Sequence, residues 1–195
     1  MTTTMFSWRG EDGRALETAR VLLGRTGLRA LGRSVHAPAD GSAFTVSYRL
    51  VVDDLGVVSR LSVTTASLDR ERNLTLNRTE DGYWLMDTGA GGSRAQFDGA
   101  VDIDLQSSVL FNALPTRRLD LHRRSGEQEL PMVYVSVPNL EVALTTQRYS
   151  TVSTLTDSDD EDRAVIGFSS GDFASELTVD ANGIPLAYPG TAVRI

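Results

Sequence analysis

The sequence predicts an all-β, mainly antiparallel domain: one curved sheet forming a β-roll or incomplete barrel, with at most one short helical turn near residues 108–113. Three observations carry this. Apolar and polar residues alternate with a period of two in run after run. Clusters of Gly, Asp and Ser separate the runs at hairpin spacing. No segment sustains a helical period. The 195 residues suit a single domain, 1–195, which at this size buries about 70% of the surface of the unfolded chain.

The elements follow in order. Strands are expected at Phe6 to Arg9, Ala19 to Leu23, Leu28 to Val35, Ala43 to Val52, Val57 to Thr64, Asn73 to Arg78 and Tyr83 to Met86. After a central segment come Met132 to Val137, Val142 to Tyr149, Val165 to Phe168, Ala174 to Val179 and Leu186 to Tyr188. Two connections share one spacing: Val52-Asp53-Asp54-Leu55-Gly56-Val57 and Val179-Asp180-Ala181-Asn182-Gly183-Ile184. In both, the glycine supplies the positive φ of a tight turn. Convergent turn chemistry explains the match, and a duplicated half-barrel is the alternative.

The central segment from Phe97 to Leu121 gathers the polar chemistry. Val101, Ile103 and Leu105 share one strand face, and Asp102 and Asp104 share the other, roughly 7 Å apart along the strand. That spacing suits a shared ligand, a glycosidic bond, or simply a solvated polar face. Ser108 caps a helical turn through Phe111 that Pro115 is expected to stop. A strand would then carry Arg117, Leu119, Leu121 and Arg123 on one face and Arg118, Asp120 and His122 on the other. Arg117, set beside apolar residues, requires an oxyanion: Asp102, Asp104 or a ligand group.

Composition narrows the function. The hydrophobic content of 41% and charged content of 23% are ordinary for a globular protein. A net charge of -7 disfavours nucleic acid and anionic bilayers as partners. All 19 basic residues are arginine, so lysine chemistry is absent, and zero cysteines remove disulfides and thiolates. His36 and His122 are too few for a metal cluster or a nucleophilic triad, so no cofactor, metal or catalytic residue is assigned. The N-terminus MTTTMFSWRGEDG lacks the basic and apolar regions of a secretory signal, and no run reaches membrane-spanning length. The expected location is cytoplasmic.

The order Asp102-x-Asp104-Leu105, then Phe111-Asn112-x-Leu114-Pro115, then Arg117-Arg118-Leu119, resembles a bacterial family named Putative glycolipid-binding. The match continues through Tyr134 to Pro138, Leu140 to Val142, Gln147-Arg148-Tyr149 and Phe173 to Gly190, with Trp8, the VSYRLVVDD run and Tyr83-Trp84 fitting the N-terminal half. Two positions depart from that pattern: Ala100 stands where the family has cysteine, and Ser108-Val109-Leu110 where it has threonine-proline. The resemblance implies a fold similar to bacterial lipoprotein carriers, whose incomplete barrels enclose a greasy cavity. It also implies a lipid or glycolipid ligand. The expectation is a non-enzymatic binding protein with an apolar cavity, in which Asp102, Asp104, Asn112, Arg117 and Arg118 meet a head group at the mouth. Tyr83, Trp84, Phe111 and Tyr149 are the candidate wall.

Alternatives stay open at this point. One alternative reads the cluster as structural, with Asp102 and Arg117 as a closure pair, in a protein without a small ligand. A carbohydrate-active hydrolase would use Asp102 and Asp104. An aspartic protease would use Asp87 in Leu85-Met86-Asp87-Thr88-Gly89-Ala90, braced by Val165-Ile166-Gly167. Asp157 to Asp162 lacks the glycine and distal glutamate of a calcium loop and reads as a solvated loop. A homodimer through an edge strand remains open.

Overall fold

The computed structural model describes residues 2–157 and 162–195. It contains one 15-stranded sheet. The first eight strands are β1 (Thr2–Gly10), β2 (Ala15–Leu23), β3 (Leu28–His36), β4 (Phe44–Val52), β5 (Val58–Ser67), β6 (Glu71–Arg78), β7 (Trp84–Asp87) and β8 (Gly92–Ala95). A crossover unit follows: β9 (Asp102–Leu105), a 3-10 turn at Val109–Asn112, helix α1 (Ala113–Arg118) and β10 (Glu127–Val135). The remaining strands are β11 (Val142–Ser153), β12 (Arg163–Ser170), β13 (Phe173–Asp180), β14 (Pro185–Tyr188) and β15 (Ala192–Arg194).

The spatial order is β8-β7-β6-β5-β4-β3-β2-β1-β15-β14-β13-β12-β11-β10-β9. Chain neighbours are sheet neighbours except β8 and β9, which form the two edges, and the two halves join where β1 pairs antiparallel with β15. Every pairing is antiparallel but one: β9 and β10 run parallel, with Asp104 opposite Tyr134. A parallel pair needs a crossover, and here the 3-10 turn and α1 supply it.

The sheet curls so that its two halves meet. Val58 N–H donates to the carbonyl of Val101 at 3.0 Å, and the Trp84 indole donates to that of Ala100 at 3.0 Å. Inward positions alternate along β2 to β4 and, beyond a register shift at Ser59, along β5, with Ala19, Val21, Ala30, Val46, Leu50, Leu61 and Val63 all buried. Eight consecutive residues of the crossover, Val109 to Thr116, are buried as well. A helical segment buried on all sides must be surrounded, and this one passes through the barrel interior and fills it. Phe111 meets Tyr48 of β4 edge to face at 5.3 Å between ring centroids, and Asn112 meets Tyr149 of β11.

Two sequence expectations are corrected here. The helical turn does not stop at Pro115 but continues to Arg118. Pro115 falls in the first turn of α1, where its missing N–H is no loss and its fixed φ suits a helix. The segment 117–123 is therefore the end of α1 and a series of turns rather than a strand. The acidic run read as a solvated loop lies mostly outside the described residues.

The two matching turns are the same turn. Asp53 Oδ1 accepts the N–H groups of Leu55 and Val57, and Asp180 Oδ1 those of Asn182 and Ile184. Gly56 and Gly183 take φ of +82° and +72°. Each turn carries one of two consecutive arginines: Gly56 packs on the Arg118 stem and Gly183 on the Arg117 stem.

Candidate functional site

The two ends of the barrel differ. At one end, β9 leaves the sheet through Ser107, whose φ is +65°. Here Asp104 begins a chain of polar contacts. Gln147 of β11 donates from Nε2 to Asp104 Oδ2 at 2.7 Å, and the Tyr149 hydroxyl lies 3.1 Å from both Gln147 Oε1 and Asn112 Oδ1. Alternation places Gln147 and Tyr149 on the inward face of β11. Burial drives the Asp104 carboxyl up to about 6, against the hydrogen bond from Gln147. Burial raises the Tyr149 phenol as well, with the charges of Asp104 and Asp102 adding to it.

Asp104 and Gln147 open onto a cleft of about 550 Å³ walled by Tyr134, Phe168, Phe173 and Tyr188. The rings form a contiguous cluster. Phe168 packs against Tyr149 at 5.2 Å, Tyr188 at 6.0 Å and Phe173 at 6.1 Å. Phe173 is half exposed where it lines the cleft. The cleft adjoins a second depression of about 410 Å³, with Gln106, Ser107, Val109 and Thr191 common to both. That depression passes over the rim, at Arg14, Ala15, His36 and Phe44, into an apolar groove of about 700 Å³.

Glu17 lies at the base of the second depression. Its carboxylate accepts from the Tyr48 hydroxyl at 2.6 Å, from the Ser108 hydroxyl and from the backbone N–H of Val109 at 2.9 Å. Burial raises its carboxyl, and these donors oppose the shift. Glu17 thus fixes the start of the crossover segment to β2.

The opposite end is a structural clamp. Arg118 donates to Asp102 Oδ2 from Nε at 3.1 Å and from Nη2 at 2.5 Å, and the Asp102 side chain is 1% exposed. Arg117 donates to backbone carbonyls: Asn182 at 2.5 Å and Gly24 at 3.0 Å. The closure pair is thus Asp102 with Arg118, while Arg117 ties two turns together.

The candidate residues therefore divide. Asp104, Asn112 and Tyr149 converge at the rim, while Asp102, Arg117 and Arg118 converge at the far end. Phe111 and Trp84 are core, at 1% and 0% exposure. Tyr83 lies outside, with the Arg94 guanidinium 3.5 Å from its ring centre. Asp87 is exposed in the hairpin between β7 and β8, its Oδ1 accepting the N–H of Gly89 at 2.7 Å. Phe168, Phe173, Tyr188, Tyr134, Gln147 and Glu17 were not singled out from the sequence. Tyr134, Gln147, Phe173 and Tyr188 lie within runs that carried the resemblance, which was the one signal available. Among the described residues, no group of three His, Cys, Asp or Glu side chains is placed to hold a metal ion. No helix among them is long and apolar enough to cross a membrane.

The fold is shared with solved structures. A DUF1089 family protein from Pseudomonas aeruginosa superposes with a TM-score of 0.72 at 24% identity, covering 93% of this chain and 92% of that one. A β-barrel-like protein of the DUF1849 family from Brucella abortus matches with a TM-score of 0.52 at 10% identity, over 98% of this chain and 93% of that one. No curated protein matches the sequence. The family model described as Putative glycolipid-binding matches residues 5–194, nearly the entire chain, and the protein belongs to that family.

Proposed function

We propose that the chain is a binding protein for the sugar-bearing end of a glycolipid, seated in the rim cleft beside Asp104. One observation carries this reading: an open aromatic wall stands across from a connected carboxylate, amide and hydroxyl chain. A hydroxylated ring has apolar faces for Phe173 and Tyr188, and edge hydroxyls for Asp104 and Gln147. The carboxylate disfavours phosphate and carboxylate head groups. The interior is occupied by residues 109–116, so the ligand is read as lying at the rim rather than inside an internal apolar cavity.

Binding is favoured over hydrolysis by the composition of the cleft. Among the described residues lining it, Asp104 is the one carboxylate, whereas glycoside hydrolysis takes two flanking the bond. Asp102 faces the far end and is held by Arg118.

The test is calorimetric titration with alkyl glucosides below their micellar concentration, and with alkyl phosphates of equal chain length. The glucosides should bind and the phosphates should not, and Phe173→Ala should abolish binding at an unchanged melting temperature. Failure of every glycoside to bind, together with no glycolipid in native mass spectra of protein purified from its own host, would overturn the reading.

A further inference from the structure

The outer face of strands β1 to β5 has a charge pattern opposite to that of the whole chain. Six exposed arginines project from it: Arg9, Arg20, Arg29, Arg33, Arg49 and Arg60. Only one carboxylate occurs within these five strands, Glu17, and it points into the barrel. Outside these strands Arg94, Arg118, Arg123, Arg124, Arg148 and Arg194 each face a carboxylate within 4 Å, while other arginines unpaired among the described residues, such as Arg25, Arg70 and Arg78, are scattered over turns and strand ends. Among the described residues, none of the six outer arginines has such a partner; Arg60 alone meets a side chain, the Ser62 hydroxyl at 3.3 Å.

Apolar side chains fill the gaps between these cations. Across the strands the register reads Met5, Arg20, Leu31, Arg49 in one row, and Leu22, Arg29, Val51, Arg60 in another. A third row runs Arg9, Leu16, Val35. Met5, Leu16, Leu31 and Val35 are 42% to 60% exposed. An antiparallel face left to water would place opposite charges across the ladder. This one places guanidinium beside hydrocarbon in two directions.

We propose that the outer face of β1 to β5 docks on an anionic lipid surface. Guanidinium groups reach the phosphates while Met5, Leu16, Leu31 and Val35 enter the interfacial layer, the division of labour seen in elements that lie on membranes. Charge complementarity selects this occupant. In a chain of net charge -7, a purely cationic face orients the molecule toward a negative plane, with the acidic remainder turned away. A second copy is disfavoured, because a two-fold contact would set arginine against arginine. Single-stranded nucleic acid is disfavoured because no aromatic side chain projects from the outward positions for bases to stack on. The apolar groove at the rim begins on this face, at Leu16, Val35 and Ala66, and leads over Phe44 toward the clefts, so a docked molecule has its groove open to the bilayer.

The inference stands apart from the sugar-binding reading, since vesicles without any sugar-bearing lipid test it. Flotation would compare vesicles of phosphatidylcholine alone with vesicles in which part of it is replaced by phosphatidylglycerol. The protein should float with the anionic vesicles only and be released by salt. An Arg20→Thr/Arg33→Thr/Arg49→Thr variant, all outward strand positions, should bind roughly a hundredfold more weakly. Arg148→Thr, on the other half of the sheet, should bind as the parent does. Equal behaviour toward both vesicle types, parental binding by the triple variant, or tighter binding to double-stranded RNA than to vesicles would each overturn the proposal. Circular dichroism melts establish that the triple variant is folded.

Discussion

Arg118 and Asp102 are joined by hydrogen bonds from both Nε and Nη2 across a segment of chain that leaves the sheet at β9, runs through the barrel and emerges at the far end. The pair fixes the end of α1 to the start of the strand from which it departed. Burial raises the Asp102 carboxyl, and the guanidinium works against that, so neither charge is tolerable without the other. Asp102→Asn or Arg118→Ala should each destabilise the protein by about 3–5 kcal/mol. Asp102→Leu combined with Arg118→Met should recover most of the loss. Urea denaturation of the four proteins checks this. Additive losses in the double variant would mean that the two residues act separately.

The glycine of the second matched turn faces a double demand. Gly183 has φ of +72°, and a methyl group there would stand 3.0 Å from the Arg117 side chain and 3.3 Å from the His122 ring. Gly171 has φ of +56° with open space around it. Both substitutions to alanine incur the backbone strain of about 1–3 kcal/mol expected for a left-handed position. Gly183→Ala should cost measurably more than Gly171→Ala, the excess reporting displacement of Arg117. Thermal melts of the two variants read the difference directly.

Asp104 makes stability depend on pH in an unusual sense. Its folded value of about 6 lies above the unfolded carboxylate value, so between about pH 4 and 6 the native state holds more protons than the unfolded chain. This contribution lowers stability as pH rises through that window, and the deficit is complete above the folded value. Asp104→Asn should therefore raise stability at pH 8 by up to about 2–3 kcal/mol and change it little at pH 4. Denaturant midpoints at the two pH values, with carboxyl NMR titration of Asp104, measure both the sign and the window. An equal effect of Asp104→Asn at both pH values would remove Asp104 as the cause.

Much of this architecture was legible in the chain because much of it is local. The run Phe44–Val52 alternates so regularly that its inward set is evident, and the Val-Asp-x-x-Gly turns specify their own hydrogen bonds. The departures arise where local rules meet a long-range choice. Pro115 read as a stop, yet a proline in a first turn is permitted, and only the surrounding sheet makes the helix worth forming. The strands expected in the first half end at Met86, yet Gly92–Ala95 pairs with β7 as an edge strand that its glycine and polar residues do not announce. Ala192–Arg194 is too short to declare itself and owes its existence to β1 at the other end of the chain. The site follows the same division. The alternation set Asp102 and Asp104 on one side of their strand, but Phe168, Phe173 and Tyr188 come from three further strands, and their convergence with Asp104 is a product of sheet curvature.

The crossover segment also dictates an order of assembly. Residues 109–116 pass along the inside of a sheet whose opposite halves touch at Val58 and Val101, so the curl cannot shut before that segment is inside it. The meanders β1 to β8 and β10 to β15 zip through neighbours in sequence and can form as flat precursors. The helical segment is then the mandrel around which both are wound. Insertion and closure become one event, and the amides of Val58, Val109 and Leu119 should gain their protection from exchange together.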